Sequence, residues 1–457
     1  DANGLQTFEY DRLGRMTQST DSAGTTRWLY DQGVNALGQL SESFSPATPE
    51  NPAGQHLVYT YEPLTQSIDQ NRGLLAELDY VIDGTSYPVG FTYDDLGRRK
   101  TISYPEGAGS PIVAEYQYDA FGFLTHLNEL GSGTSRELWR MDATFQGHLV
   151  ERETFGNGAS TTYGYHPTRR FMTSIGTTLG PDAVQTIEYT HLDNGRVWQR
   201  TSQGAMRQYA YDLLNRLAET FDFDANDTVT TSYRYDQLGN LTLRGNVATA
   251  YRSDRPHLVA AVGQNVYGYD GKGNVISRSG PDVPGNVQAI TYTPFDLPRS
   301  IVSGQPGVAT TTLFEYSADE ERLVRRELGA TRYFATNLYQ RLVDTEGDTL
   351  EERYRLFVEG RNIGEIVRRD GSEETLYFHA DHLGSVDTIT TGDSEVISQS
   401  FEPFGSQVGT FDGTVTRAGF TGHQHERDLG LIDMGGGMYD PLAGRFLTED
   451  TVMQAHF

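Results

Sequence analysis

Tyr233-Arg-Tyr235-Asp236-Gln-Leu-Gly239-Asn-Leu241 is the stretch that decides the fold. Its two aromatics at i and i+2 share one face of an extended strand, because side chains alternate with a period of two. Asp236 opens a turn by accepting backbone N–H bonds two or more residues on, and Gly239 supplies the left-handed conformation that closes it. Leu241 then begins a return strand. The nine residues read as strand, tight turn, strand.

The same unit recurs at Phe8–Met16, Phe91–Gly97, Tyr116–Leu124, Tyr209–Leu217 and Tyr267–Val275, each built around Tyr-Asp. At Tyr165, Tyr189, Tyr292 and Tyr316 the tyrosine persists while the turn residues vary. Anchor tyrosines lie 22 residues apart from Tyr189 to Tyr211, 24 from Tyr211 to Tyr235, 23 from Tyr269 to Tyr292 and 24 from Tyr292 to Tyr316. A fixed period is the mark of a repeat architecture. Runs between copies, such as Thr228–Tyr233, are β-branched and aromatic, with no sustained helical period. The pattern predicts hairpin turns at Asp94–Gly97, Asp212–Asn215 and Asp236–Gly239. Hairpins in series make a long antiparallel sheet, which must twist and close on itself or leave an aggregating edge. A barrel of so many strands is wider than side chains can fill, so closure implies a lumen.

Composition narrows the function. Charged residues are 21% and aromatics 11%, so the chain folds rather than remaining disordered. The hydrophobic share is 37% with 27 tyrosines counted in, which suits a sheet wetted on both faces. A net charge of −26 repels phosphate, so nucleic acid is not expected to bind the wall itself, while a basic protein partner stays open. With no cysteine there is no disulfide framework, thiolate nucleophile or thiolate metal site. No apolar run approaches the roughly 20 residues of a membrane helix, and the N-terminus shows no signal sequence.

The Tyr-Asp-x-x-Gly units resemble the YD repeats of bacterial RHS proteins, of the C component of insecticidal toxin complexes and of the teneurin adhesion proteins. The resemblance sharpens at Tyr377-Phe-His379-Ala-Asp381-His382-Leu-Gly384-Ser385-Val386, at Phe401-Glu-Pro403-Phe404-Gly405 and at Tyr439-Asp440-Pro441-Leu-Ala-Gly444-Arg445-Phe446-Leu447-Thr-Glu-Asp450, which is similar to the RHS-associated core. It implies an all-β fold of YD-repeat antiparallel hairpins spiralling into a large hollow shell, a cocoon or barrel, of which this chain is a fragment. Residues 1–370 would form the YD-repeat shell. Residues 371–457 would be the RHS-associated core at its plug end, stopping before the cleavage site and the toxin domain.

In that family a C-terminal toxin is released by aspartyl self-cleavage and stays inside the shell. Asp450 matches the position of one catalytic aspartate. Asp440 and Arg445 are weaker candidates for remnants of the same site, a carboxylate pair with a stabilising cation. The bland alternatives are that Asp440 shapes the turn before Pro441 and that Arg445 makes a structural ion pair. The second aspartate and the cut site of that pattern do not occur before Phe457, Thr451 stands where many members have Pro, and Gly437 where Arg is usual, so self-cleavage by the fragment is expected to be incomplete and it is not expected to act as an enzyme. His379 with His382 and Asp381, and His423 with His425 and Glu426, have spacings that zinc can use, but no third ligand at a set distance, so neither a metal nor a cofactor is expected.

The resemblance therefore implies a shell that encapsulates a C-terminal toxin polypeptide for delivery to target cells. The toxin would be its cargo, and an N-terminal plug, a secretion-system component or a second copy its further partners. The protein would be secreted or injected from a bacterium by a type VI or toxin-complex-like route. A cell-surface adhesion or scaffold protein and a carbohydrate-active β-repeat enzyme are the alternatives; the latter needs two carboxylates at a set separation.

Overall fold

The computed structural model describes residues 5–33, 35–49, 51–63, 73–107, 109–131, 134–223 and 227–449. Strands account for nearly all regular structure among them, and the helical exception is a single 3-10 turn at Phe420–Gly422. Successive strands pair antiparallel, as in Ala205–Tyr211 with Leu217–Phe223 and Leu217–Phe223 with Thr228–Tyr235. The all-β, antiparallel class is therefore observed.

The expected turns are in place. In the Asp236–Gly239 turn, the Gly239 N–H donates to the Asp236 carbonyl at 3.1 Å and the Asp236 N–H to the Asn240 carbonyl at 3.0 Å. The Asp94 and Asp212 turns repeat this, with Gly97 N–H and Asn215 N–H each 3.0 Å from the aspartate carbonyl. Ahead of each turn the ladder slips by one residue, between Ala210 and Tyr211, Arg234 and Tyr235, and Thr92 and Tyr93. Such bulges bend and twist the strand, so each repeat adds curvature.

By contact density the chain divides into two compact units. The first draws on Asp1–Trp139, Ile290–Val302 and Thr310–Leu376, and the second on Arg140–Ala289, Ser303–Ala309 and Tyr377–Phe457. In the first unit, early strands face late ones. Tyr80 donates to Glu321 at 3.0 Å, Arg326 pairs with Asp83 at 2.7 Å, and Tyr104 donates to the Arg355 carbonyl at 2.7 Å. Ile82, Val89, Leu356 and Ile366 are fully buried in this unit. Glu351 through Leu356 are all buried, so the strand Thr349–Val358 is covered on both faces. The expectation of a sheet wetted on both faces fails at this strand.

In the second unit Ile175, Ile187 and Tyr189 form a buried cluster with Met172 and Val197 against it. The segment from Tyr377 onward lies on the repeat strands of this unit. Asn157 donates to Thr390 Oγ1 at 2.8 Å, Arg200 pairs with Asp387 at 2.9 Å, and Arg244 donates to the Pro441 carbonyl at 2.9 Å.

Candidate functional site

The repeat itself carries a connector at the residue that follows the turn's glycine or asparagine. In the copy at Asp212, the carboxylate Oδ1 accepts the N–H groups of Leu214 and Arg216, each at 2.9 Å, and Oδ2 accepts Arg216 Nε at 2.7 Å. The Arg216 backbone N–H leads in holding the Asp212 carboxyl below its ordinary range. The same guanidinium stacks 4.3 Å over the ring of Tyr235, and the Tyr235 hydroxyl donates back to the Leu217 carbonyl at 3.0 Å. Each Tyr-Asp unit is thereby tied to the next. Arg15 with Asp11 and Tyr30, and Arg98 with Asp94 and Tyr118, repeat the arrangement. Asn240 takes the arginine's place at Asp236, donating to its Oδ2 at 2.7 Å. The signal was present in the sequence as Gly14-Arg15, Gly97-Arg98 and Asn215-Arg216.

At the C-terminal string, Met438–Asp440 pairs with Arg445–Phe446 across a turn whose Gly444 N–H donates to the Asp440 carbonyl at 2.8 Å. Asp440 is sealed in. Its Oδ2 accepts the Tyr267 hydroxyl and Arg278 Nη1, both at 2.9 Å, and its Oδ1 accepts Leu442 N–H at 2.9 Å and Ala443 N–H at 3.4 Å. Asp440 and Arg278 are each 1% exposed. Arg278 is further held by Gln288 Oε1 at 2.8 Å and by the Leu429 carbonyl. Burial pushes the Tyr267 phenol well above its ordinary range and the Asp440 charge pushes it further, so Tyr267 stays a donor. With both oxygens engaged, this carboxylate shapes a turn and neutralises a buried guanidinium.

Arg445 turns to a different repeat. Its Nη2 donates to Asn240 Oδ1 at 2.8 Å and its Nη1 to the His257 carbonyl at 3.2 Å, with the guanidinium 5.4 Å over the Tyr251 ring. Asp440 and Arg445 are ladder partners, yet their side chains serve separate sets of contacts. Asp450 lies outside the described residues.

The histidines do not converge on one point. His379 Nε2 is 2.9 Å from Thr390 Oγ1, and burial takes its imidazole down to about 4. His382 Nδ1 is 3.0 Å from the Tyr189 hydroxyl, and burial also lowers its pKa. His425 Nε2 accepts the Phe420 N–H at 3.0 Å, and burial, helped by Arg427 and Arg417, takes it down to about 3. Glu426 pairs with Arg417. Among the described residues no three His, Asp or Glu side chains are placed to hold a metal ion.

The RHS Repeat family model matches residues 1–26. The tRNA3(Ser)-specific nuclease WapA of Bacillus spizizenii is 25% identical over 270 residues, which is 53% of this chain and 11% of that protein. The crystal structures of TcdB2-TccC3-Cdc42 and of TcdB2-TccC3 superpose with TM-scores of 0.74 at 15% identity, covering 98% of this chain and 26% and 27% of those chains. The Photorhabdus luminescens Tc holotoxin pore superposes at 0.64 with the same identity and 98% of this chain. The chain thus spans about a tenth of the curated relative and about a quarter of the solved chains. The resemblance to RHS, YD-repeat proteins is borne out by this repeat match and by a fold shared along nearly the whole chain.

Proposed function

We propose that this RHS-repeat chain is part of a wall that encloses a C-terminal toxin polypeptide until its delivery from a bacterium to a target cell. The observation that carries the reading is the fold likeness to the TcdB2-TccC3 structures over 98% of the chain. A second arrangement supports it. The core-like strings of residues 377–449 bond to the repeat strands of their own unit, through Arg200, Arg244 and Arg278. A segment fixed to the wall in this way is suited to end it and to hand on the chain that follows. No described helix is long and apolar enough to cross a membrane.

Self-cleavage, as a step of the full-length protein, would use Asp450, the aspartate that matches the family's position, and it is not ascribed to these 457 residues alone. Asp440 is assigned the structural part, because its four bonds leave no oxygen free to act as a base. No activity on added substrates is ascribed to the wall.

The test uses the protein as its gene encodes it, purified and treated with a broad-specificity protease. The polypeptide that follows the core should survive while the wall is intact and be digested once the wall is unfolded in denaturant. Digestion of that polypeptide from the native protein, with the wall still intact, overturns the proposal.

A further inference from the structure

Three copies of the repeat keep their connector within one unit. Arg15, Arg98 and Arg216 each follow their aspartate by four residues, pair with it and stack over the next anchor ring, that of Tyr30, Tyr118 or Tyr235. The unit at Asp236 has no such arginine. Asn240 stands in its place, and a neutral amide offers the following ring, Tyr251, no cation. Tyr251 still holds the anchor position, because its hydroxyl donates to the Leu241 carbonyl at 2.8 Å as that of Tyr235 does to Leu217.

The guanidinium over Tyr251 comes instead from the C-terminal string. Arg445 stacks on the ring and donates to Asn240 Oδ1, while Asn240 Nδ2 donates to Asp236. The series Asp236, Asn240, Arg445, Tyr251 thus replaces the series Asp212, Arg216, Tyr235. Two features of the string release Arg445 for this contact. Its turn from Asp440 to Arg445 is one residue longer than in the connector copies, and the Asp440 carboxylate is engaged by Tyr267 and Arg278. The residues after Arg445 then meet the unit at Asp270, which also carries asparagine, Asn274, at the connector position, and the Leu447 carbonyl accepts the Val275 N–H at 2.8 Å.

We propose that the repeat at Asp236 is the docking site for the core string, left without its own arginine so that Arg445 completes the connector and fixes the string in register on the wall. Arg445 is then a positioning residue shared by wall and core. All of these contacts lie within the second unit. The inference rests on the connector geometry and not on the containment reading, since it concerns how the core is seated and not what the wall encloses.

Hydrogen exchange read by mass spectrometry on the 457-residue chain tests it, at Val247–Tyr251 in the wall and at Met438–Asp440 in the string. Arg445→Ala should speed exchange in both segments by about tenfold, because a charge-assisted hydrogen bond and the ring contact are lost together. Asn240→Arg returns a connector to the repeat's own unit and should speed exchange in the string by about tenfold while leaving the wall segment protected. Adding Asn240→Arg to Arg445→Ala should restore the wall segment and leave the string open. An Arg445 that only props its own hairpin would allow no such restoration. Unchanged exchange in the wall segment of Arg445→Ala, a string still protected in Asn240→Arg, or a double variant whose wall segment stays open overturns the proposal. If Asn240→Arg does not fold, Tyr251→Leu is combined with Arg445→Ala: coupling of about threefold or more between the two is expected, and independent effects overturn the proposal.

Discussion

Gly239 and Asn215 occupy the same step of two different repeats, with φ of +87° and +66°. A left-handed step is cheap for Gly, tolerable for Asn and costly for a β-branched residue. Gly239→Val should therefore destabilise by about 1–2 kcal/mol in urea unfolding, whereas Gly239→Asn should cost less than half of that. An ideal Cβ at Gly239 has no neighbour nearer than 3.8 Å, so the difference would report backbone strain and not crowding. At Asp440 the expected effect is larger. Asp440→Asn leaves Arg278 buried without its countercharge, and a loss of about 3–5 kcal/mol should follow. A folded, fully stable Asp440→Asn protein would return Asp440 to the candidate catalytic residues. The aspartate and the glycine of each turn were legible because their backbone roles are local. The partners of Asp440 were not, because Tyr267 and Arg278 lie 173 and 162 residues away and no short-range pattern records them.

At the level of strands and turns, the sequence exposed what is periodic and hid what is not. The pair of aromatics, the turn and the return strand were readable because the period of two and the turn chemistry act within a dozen residues. The strand Thr349–Val358 was not, since charged residues such as Glu351, Glu352, Arg353 and Arg355 ordinarily face solvent while the fold buries all four. The charges of Glu351, Arg353 and Arg355 are matched inside the first unit, and Glu352 accepts the Tyr339 hydroxyl at 2.7 Å. Glu351 accepts Arg353 Nε at 2.7 Å and Arg332 Nη1 at 3.0 Å, and Arg353 Nη1 also reaches Glu365 at 2.8 Å. Burial alone would raise the Glu351 carboxyl, yet Arg353, Arg332 and Arg369 hold it well below its ordinary range. Glu351→Gln should cost about 3–5 kcal/mol by stranding those arginines, more than the same change at a solvent-exposed glutamate. Chemical unfolding of the two variants side by side checks this. For the connector, a double-mutant cycle on Arg216 and Tyr235 should return a coupling of about 0.5–1 kcal/mol.

Over the whole molecule, acid acts on several buried groups at once. His379 and His425, taken down to about 4 and about 3, bind protons more readily in the unfolded chain than in the folded one. The unfolded state therefore holds more protons between pH 6.5 and about 4, and stability should fall as pH drops through that window, by on the order of 3 kcal/mol per histidine. Glu351, held low in the fold, adds a further loss below its unfolded value of 4.5. Asp387, raised mainly by burial, works the other way and offsets part of the decline. Melting temperatures measured from about pH 7 to pH 4 should fall, and replacing His379 by Gln should flatten the upper part of that slope. Fold class was legible at this scale because a repeat multiplies one local signal along the chain. The cargo was not, because nothing in a wall's periodicity encodes what it surrounds. Cryo-electron microscopy of the full gene product tests that central claim most directly. The account predicts a closed wall of YD strands with density for the C-terminal polypeptide inside it, and a C-terminal polypeptide lying outside an intact wall would contradict it.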